Sequence, residues 1–170
     1  MKKILFLTVA LVGLSIAANA QNVKIARVNT QDIMASLADV DSVRVKLEAF
    51  AKDLQDELET MQVEYNNKLE SYSKTKAALT PVIASQKERD LNDLARRIQE
   101  RNQTAQEDYN NVQMSLMQPI IGKVDESIKK IAKSLSITVI FDAQDGPVYI
   151  DENTIDITSN VIKDLGGTLK

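Results

Sequence analysis

Cysteine, histidine and tryptophan are all missing from this 170-residue chain. Without cysteine or histidine there is no zinc site built on those ligands, no Ser-His-Asp or Cys-His nucleophile, and no disulfide. A lipid-modified cysteine at a leader-cleavage site is excluded for the same reason. Glycine is scarce, with five residues, and none lies in a phosphate-cradling loop. The pair Gly166-Gly167 stands at the C-terminal end, where it reads as a helix stop. Carboxylates are plentiful, with 24 Asp and Glu, but they are scattered among Lys and Arg in the manner of solvated helix faces. The sequence therefore implies no catalytic residue, no cofactor and no metal, and the protein is expected not to be an enzyme.

What is present begins with a leader. Met1 is followed by Lys2 and Lys3, then by a nearly continuous apolar run from Ile4 to Ala18, and Ala18-Asn19-Ala20 is a small-x-small cleavage site. The run is shorter than the roughly 20 apolar residues that span a bilayer comfortably. Residues 1–20 are expected to be a cleavable signal peptide, releasing a soluble protein, periplasmic or secreted, that is not a lipoprotein. Removing Lys2 and Lys3 from 21 basic residues leaves 19 against 24 acidic ones, a mature net charge of −5. That balance points away from nucleic acid, which favours a basic face. A domain of this size, exported without disulfides, must rely on helix packing, oligomerisation or both.

Lys24 to Val28 reads as a short strand, and Asn29 or Thr30 can cap a short helix through Ile33, Met34 and Leu37. From about Val40 to Ala78 there is neither Pro nor Gly. Apolar or aromatic residues recur there every three or four positions, which predicts one long helix. From Phe50 onward the spacing is an eleven-residue repeat, aligning Phe50 with Met61 and Tyr72, and keeps the stripe on one side of a nearly straight helix. A lone helix of roughly 60 Å needs a partner. Thr80-Pro81 breaks it, so a hairpin tip is expected at about 77–83, with a return helix after it that passes through apolar positions from Leu91 to Leu135. That return helix has no apolar residue from Gln99 to Thr104, where packing should be weak, and Pro119 should kink it near its foot.

The period then changes. Ile137 to Phe141 reads as a strand, Asp145-Gly146-Pro147 as a turn, and Val148 to Ile150 as a second strand. Asp156 or Thr158 is expected to cap a last helix carrying Val161, Ile162 and Leu165. Strands at both ends and a hairpin between them predict a mainly α fold with a small β base. On this reading residues 21–39 and 119–170 form the base, and 40–118 form a long antiparallel helical hairpin projecting from it.

The stretches Lys24-Ile25-Ala26-Arg27-Val28-Asn29, Pro119 to Val124 leading to Ile128 to Ala132, Ile137 to Ala143, Val148 to Ile150, and Asp156 to Thr158 with Val161 to Lys163 resemble, in this order, the Skp/OmpH family of periplasmic chaperones. The resemblance runs the length of the chain, although the arms match only in character. It implies a homotrimer whose strands build the base, with three tentacle-like hairpins enclosing unfolded outer-membrane proteins, no ATP and no catalysis. Ile25, Val28, Ile137, Val139, Phe141, Val148 and Ile150 become the candidates for the trimer base. Members of that family are often basic, and this chain is acidic, which weakens any expectation of simple attraction to lipopolysaccharide.

Two features of the arm bear on what it touches. Phe50, Met61, Tyr65, Leu69 and Tyr72, with Leu79, Val82 and Ile83 at the tip, are candidates for contact with an unfolded chain, although such a stripe is more often the seam with the paired helix, and both can hold in part. Charge is polarised, with eight acids against three bases between Asp39 and Glu64. Around the tip the order reverses: Lys68, Lys74, Lys76, Lys87 and Arg89 face only Glu70 and Glu88, so weak contact with an anionic membrane surface is a further expectation. A rival reading makes the protein a structural coiled-coil spacer or adaptor of the envelope, though a spacer has no need to fold back on itself.

Overall fold

The computed structural model describes residues 23–144, 146, 149, 151 and 153–168. The leader at 1–20 lies outside them. β1 (Ile25–Val28) runs into α1 (Thr30–Ser36), then α2 (Ala38–Thr75), a 3-10 turn (Lys76–Ala78) and α3 (Pro81–Ser134). β2 (Val139–Asp142), β3 (Ile155–Asp156) and α4 (Thr158–Asp164) complete the chain. The expected fold is the one observed: mainly helical, with two long antiparallel helices above a three-stranded sheet.

Local chemistry explains the boundaries. Asn29 caps α1, its side-chain oxygen accepting the Asp32 N–H at 3.2 Å. Pro81 occupies the first helical position of α3, where its missing N–H costs nothing. Pro119 lies inside α3, which continues through it to Ser134. α4 ends in a Schellman closure, with the Gly167 N–H on the Ile162 carbonyl at 2.9 Å and the Gly166 N–H on Lys163 at 3.2 Å. Gly166 takes φ of 70°, a conformation that favours glycine.

The sheet has the order β2-β1-β3, with both neighbours parallel to β1. Parallel neighbours need a crossover, and between β1 and β2 that crossover is the entire arm. The strand expected at Val148 to Ile150 is not the third one. Val148 and Ile150 lie outside the described residues, and Tyr149 is 78% exposed and in no strand. The third strand is Ile155–Asp156, pairing Ala26 with Ile155 and Arg27 with Asp156. Two residues are too few to display a period of two in sequence, and Asp156 reads there as a helix cap. It serves both ends, accepting the Thr158 N–H at 2.9 Å and pairing with Arg27 at 3.0 Å.

Alternation sorts the base. Ala26 and Val28 point into a core completed by Ile33 of α1, by Leu37 between α1 and α2, and by Ile157, Val161 and Ile162 around α4. Ile120, Val124 and Ile131 of α3 join them, and Val43 and Leu47 carry the core up into the foot of the arm. Ser127 is buried among these groups and donates to Asp164 at 2.8 Å, tying α3 to α4.

Candidate functional site

α2 and α3 pair along the whole arm. Polar bridges mark the register: Lys123 with Asp39 at 2.8 Å at the foot, Arg101 with Glu57 at 2.7 Å in the middle, and the Tyr72 hydroxyl with Glu88 near the tip. The apolar stripe of α2 lies along this seam. Leu54 and Tyr72 are buried, Phe50, Leu58, Met61 and Tyr65 are half-buried, and Leu69 is exposed. Against them α3 presents Leu91, Leu94 and Ala105, all buried. Leu94 is the most enclosed residue of the arm, at 1% exposure.

Between Ile98 and Ala105 the seam position is filled by Arg101. Its guanidinium meets Glu57 across the seam through Nε at 3.0 Å and a terminal nitrogen at 2.7 Å, and meets Asp108 on its own helix at 2.8 Å. These bonds, first to Glu57 and then to Asp108, raise the Arg101 pKa further above its ordinary value. The Arg101 hydrogen bond holds the Glu57 carboxyl below the usual range. The Gln99–Thr104 stretch, read above as merely lacking apolar residues, is thus stitched by a charged bridge. A signal was present: Leu91, Leu94, Ile98, Arg101 and Ala105 step by three and four, so Arg101 stands in the apolar register.

At the tip, Lys76 lies 5.2 Å from the centre of the Tyr72 ring and 3.2 Å from Glu88. The bond from Tyr72 and the contact with Lys76 lower the Glu88 pKa. Val82 and Ile83 sit in the first turn of α3, 77% and 47% exposed, and Leu79 is half-buried in the turn. Of the tip cations, Lys68 pairs with Glu64 at 2.7 Å and Lys74 with Glu70 at 2.5 Å. Lys87 and Arg89 form no ion pair among the described residues, Arg89 bonding instead to Ser85 and Gln86. The cationic surplus is therefore narrower than the residue count implies.

At the base the outer sheet face carries Ile25, Val139 and Phe141, 46%, 37% and 38% exposed. The register sets Ile25 beside Val139 and Arg27 beside Phe141. Ile137 is half-buried against the core, and Val28, at 3% exposure, is spent inside the chain's own core. Among the described residues no three carboxylates converge to hold a metal, and no helix is long and apolar enough to cross a membrane.

The family described as "Outer membrane protein (OmpH-like)" matches residues 24–165. The chain is 27% identical over 165 residues to the chaperone protein Skp of Yersinia enterocolitica, covering 96% of this chain and 98% of that protein. It is also 27% identical over 166 residues to the Skp chaperone of Pectobacterium atrosepticum, with the same coverage. The crystal structure of an OmpH-like outer membrane chaperone from Caulobacter crescentus superposes with a TM-score of 0.73 at 15% identity, over 84% of this chain and 83% of that one. That likeness is one of fold.

Proposed function

Because the chain belongs to the OmpH-like family of outer membrane proteins, we propose that it is a periplasmic holdase, a chaperone that binds unfolded outer-membrane or envelope proteins and keeps them from aggregating without ATP. The observation that carries this reading is that one family match spans both the sheet-bearing base and the entire hairpin. A spacer could dispense with the base, and an isolated base could dispense with the arm.

In this reading residues 1–20 direct export, residues 21–39 and 119–170 form an oligomerisation base, and residues 40–118 form the arm. A parallel sheet rarely leaves an apolar face open to water. Copies of the chain meeting over Ile25, Val139 and Phe141, with Ile137 nearby, would cover that face as a homotrimer. The arms would then hang side by side and enclose the client. Their own stripe is largely consumed by the seam, so what remains for a client is dispersed. Leu69, Val82 and Ile83 are exposed toward the tip, and Met114 and Ile121 toward the foot. Scattered apolar positions offer many weak contacts in place of one strong patch. Lys87 and Arg89 add a modest cationic contact for an anionic membrane surface.

The test is light scattering of a urea-unfolded outer-membrane β-barrel protein diluted into nucleotide-free buffer. The purified mature protein should suppress the rise in scattering; a spacer would leave it unchanged, and a requirement for ATP would refute the holdase reading. Sedimentation should give a trimer at micromolar concentration, and Val139→Asp, whose cross-strand neighbour is Ile25, should dissociate it by placing an unpaired charge in a dry contact.

A further inference from the structure

The two faces of the arm seam differ in chemistry. One carries the Glu57–Arg101–Asp108 bridge. Another holds a groove of about 320 Å³ half-way along the arm, and no charged residue lines it. Leu54, Leu58 and Ala105 form its floor, and the small side chain of Ala51 leaves it open. Gln55, Asn102 and Gln106 form its rim.

The amides continue beyond the groove. Gln99, Asn102, Gln106, Asn110 and Gln113 step by three and four along α3, which places them on one helix face. Gln55, Gln62 and Asn66 step by seven and four along α2. Gln62 donates to Asn66 at 3.2 Å and Gln106 to Asn110 at 3.3 Å, while Gln55 and Asn102 bond to no other side chain among the described residues. Each carboxamide offers a donor and an acceptor, which is what an extended peptide backbone needs from a surface. Four residues beyond Gln55 the rim becomes acidic at Glu59, which has no ion pair among the described residues.

We infer that this groove is a docking site for an uncharged, extended segment of unfolded polypeptide, which seats an aliphatic or aromatic side chain on the Leu54–Leu58–Ala105 floor and bonds its peptide groups to the amide rim. The inference rests on the holdase reading and specifies where part of that contact is made. Charge decides the occupant. A carboxylate in the groove would lose water and find no cation, whereas Glu59 favours a segment flanked by Lys or Arg. Size excludes a second arm, because a stable protein interface buries about 800 Å² per partner, far more than a groove for one or two side chains supplies.

The chain has no cysteine, so a single introduced thiol reports one position. Full-length mature protein carrying Ala51→Cys, at the groove, or Thr104→Cys, on the Arg101 face, is labelled with a benzophenone maleimide. Each is mixed with a urea-unfolded outer-membrane β-barrel protein and irradiated. Position 51 should cross-link to the client several-fold more than position 104. Gln55→Glu with Asn102→Asp should lower the yield at position 51 about tenfold, since each charge would be desolvated without a partner. Helix content and oligomer mass should stay unchanged, and twelve-residue neutral peptides with lysine flanks should compete better than the same peptides with aspartate flanks. Equal yields at 51 and 104, with aggregation still suppressed, would overturn the groove and leave the holdase reading standing. Cross-linking of position 51 to a second copy of the chain before client is added would make the groove an interface between arms and overturn the inference. Failure to suppress aggregation at all would remove both.

Discussion

Replacing Leu94 by Ala asks whether the arm can loosen without the base. Leu94 is 1% exposed and is the single almost fully enclosed aliphatic side chain of the arm; the others so enclosed, Ala26, Ile33, Ile157 and Val161, belong to the base. Leu→Ala in packed interiors costs about 2–5 kcal/mol. The arm is only two helices thick, so the void can partly close or fill with water, and about 2–3 kcal/mol is the reasonable expectation. At 1.4 kcal/mol per factor of ten, amide exchange in the paired arm should accelerate about 30- to 150-fold. The assay is hydrogen exchange with mass spectrometry, comparing residues 52–108 with residues 120–141. In the wild type the arm should already exchange much faster than the base, because its buried contacts are fewer. Leu94→Ala should widen that difference, leaving base protection and oligomer mass unchanged. Val161→Ala, at a fully buried base position, should instead raise exchange throughout. If Leu94→Ala accelerates arm and base alike, the two form one cooperative unit and an arm that opens independently of the base is ruled out.

The glycines give an opposed pair. A Cβ at Gly122, inside α3, meets nothing within 4 Å, so Gly122→Ala should stabilise the fold by about 0.5–1 kcal/mol in urea unfolding. At Gly167 a Cβ would stand 2.6 Å from the Ser36 hydroxyl and 3.2 Å from the Ser36 carbonyl, so Gly167→Ala should cost about 1–3 kcal/mol in the same assay. Near the tip the Glu88 pKa is lowered from 4.5 by the Tyr72 hydroxyl and Lys76. A depressed carboxylate contributes stability that is complete above its unfolded value and is lost as the pH falls through the lowered one. Intrinsic-rate-corrected exchange at the tip should therefore rise below pH 4.5, and Glu88→Gln should show the faster tip at neutral pH with no such dependence; a pH-independent tip in the wild type would mean that the Tyr72–Glu88–Lys76 contacts do not hold it closed. Filling the seam position with Arg101→Leu, which leaves Glu57 and Asp108 half exposed to water, should slow arm exchange and narrow the range of client sizes protected in light scattering; unchanged selectivity would separate arm stiffness from client choice.

The helices were legible because their signals repeat. Apolar spacing of three and four persists from Val40 to Tyr72, and Pro81 stands where a new helix can begin. The β1 and β2 strands were legible from β-branched content. β3 was not, since a two-residue strand draws its identity from the partner it finds. The Arg101 bridge was also hidden, for a different reason. An arginine in an apolar register reads as a gap in the seam until its acceptors are known, and Glu57 is 44 residues away in sequence. The amide-lined groove escaped for the same reason: composition marks Gln99 to Gln113 as polar, but only the pairing of α2 with α3 puts Leu54 and Leu58 beneath those amides.

Topology explains how such an arm can work. β1 and β2 are adjacent and parallel, and the chain between them rises through α2 and returns through α3. Both feet are therefore anchored in one core, by Val43 and Leu47 on the outgoing helix and by Ile120 and Val124 on the return. Separating the helices above that level breaks the Arg101 bridge and uncovers Leu54 and Leu94, yet it need not disturb a single strand pairing. The polar middle sharpens this: Arg101 is partly buried but both its carboxylates stand about half exposed, and an ion pair so open to water contributes little to stability and yields cheaply, whereas its geometry still returns α2 and α3 to one register on closing. An apolar seam of equal length would hold the arm shut more firmly but would tolerate a slip of one helical turn. A bridge of one arginine and two carboxylates exchanges strength for register, which suits the proposed holdase, whose arm would open and reclose around clients of different sizes.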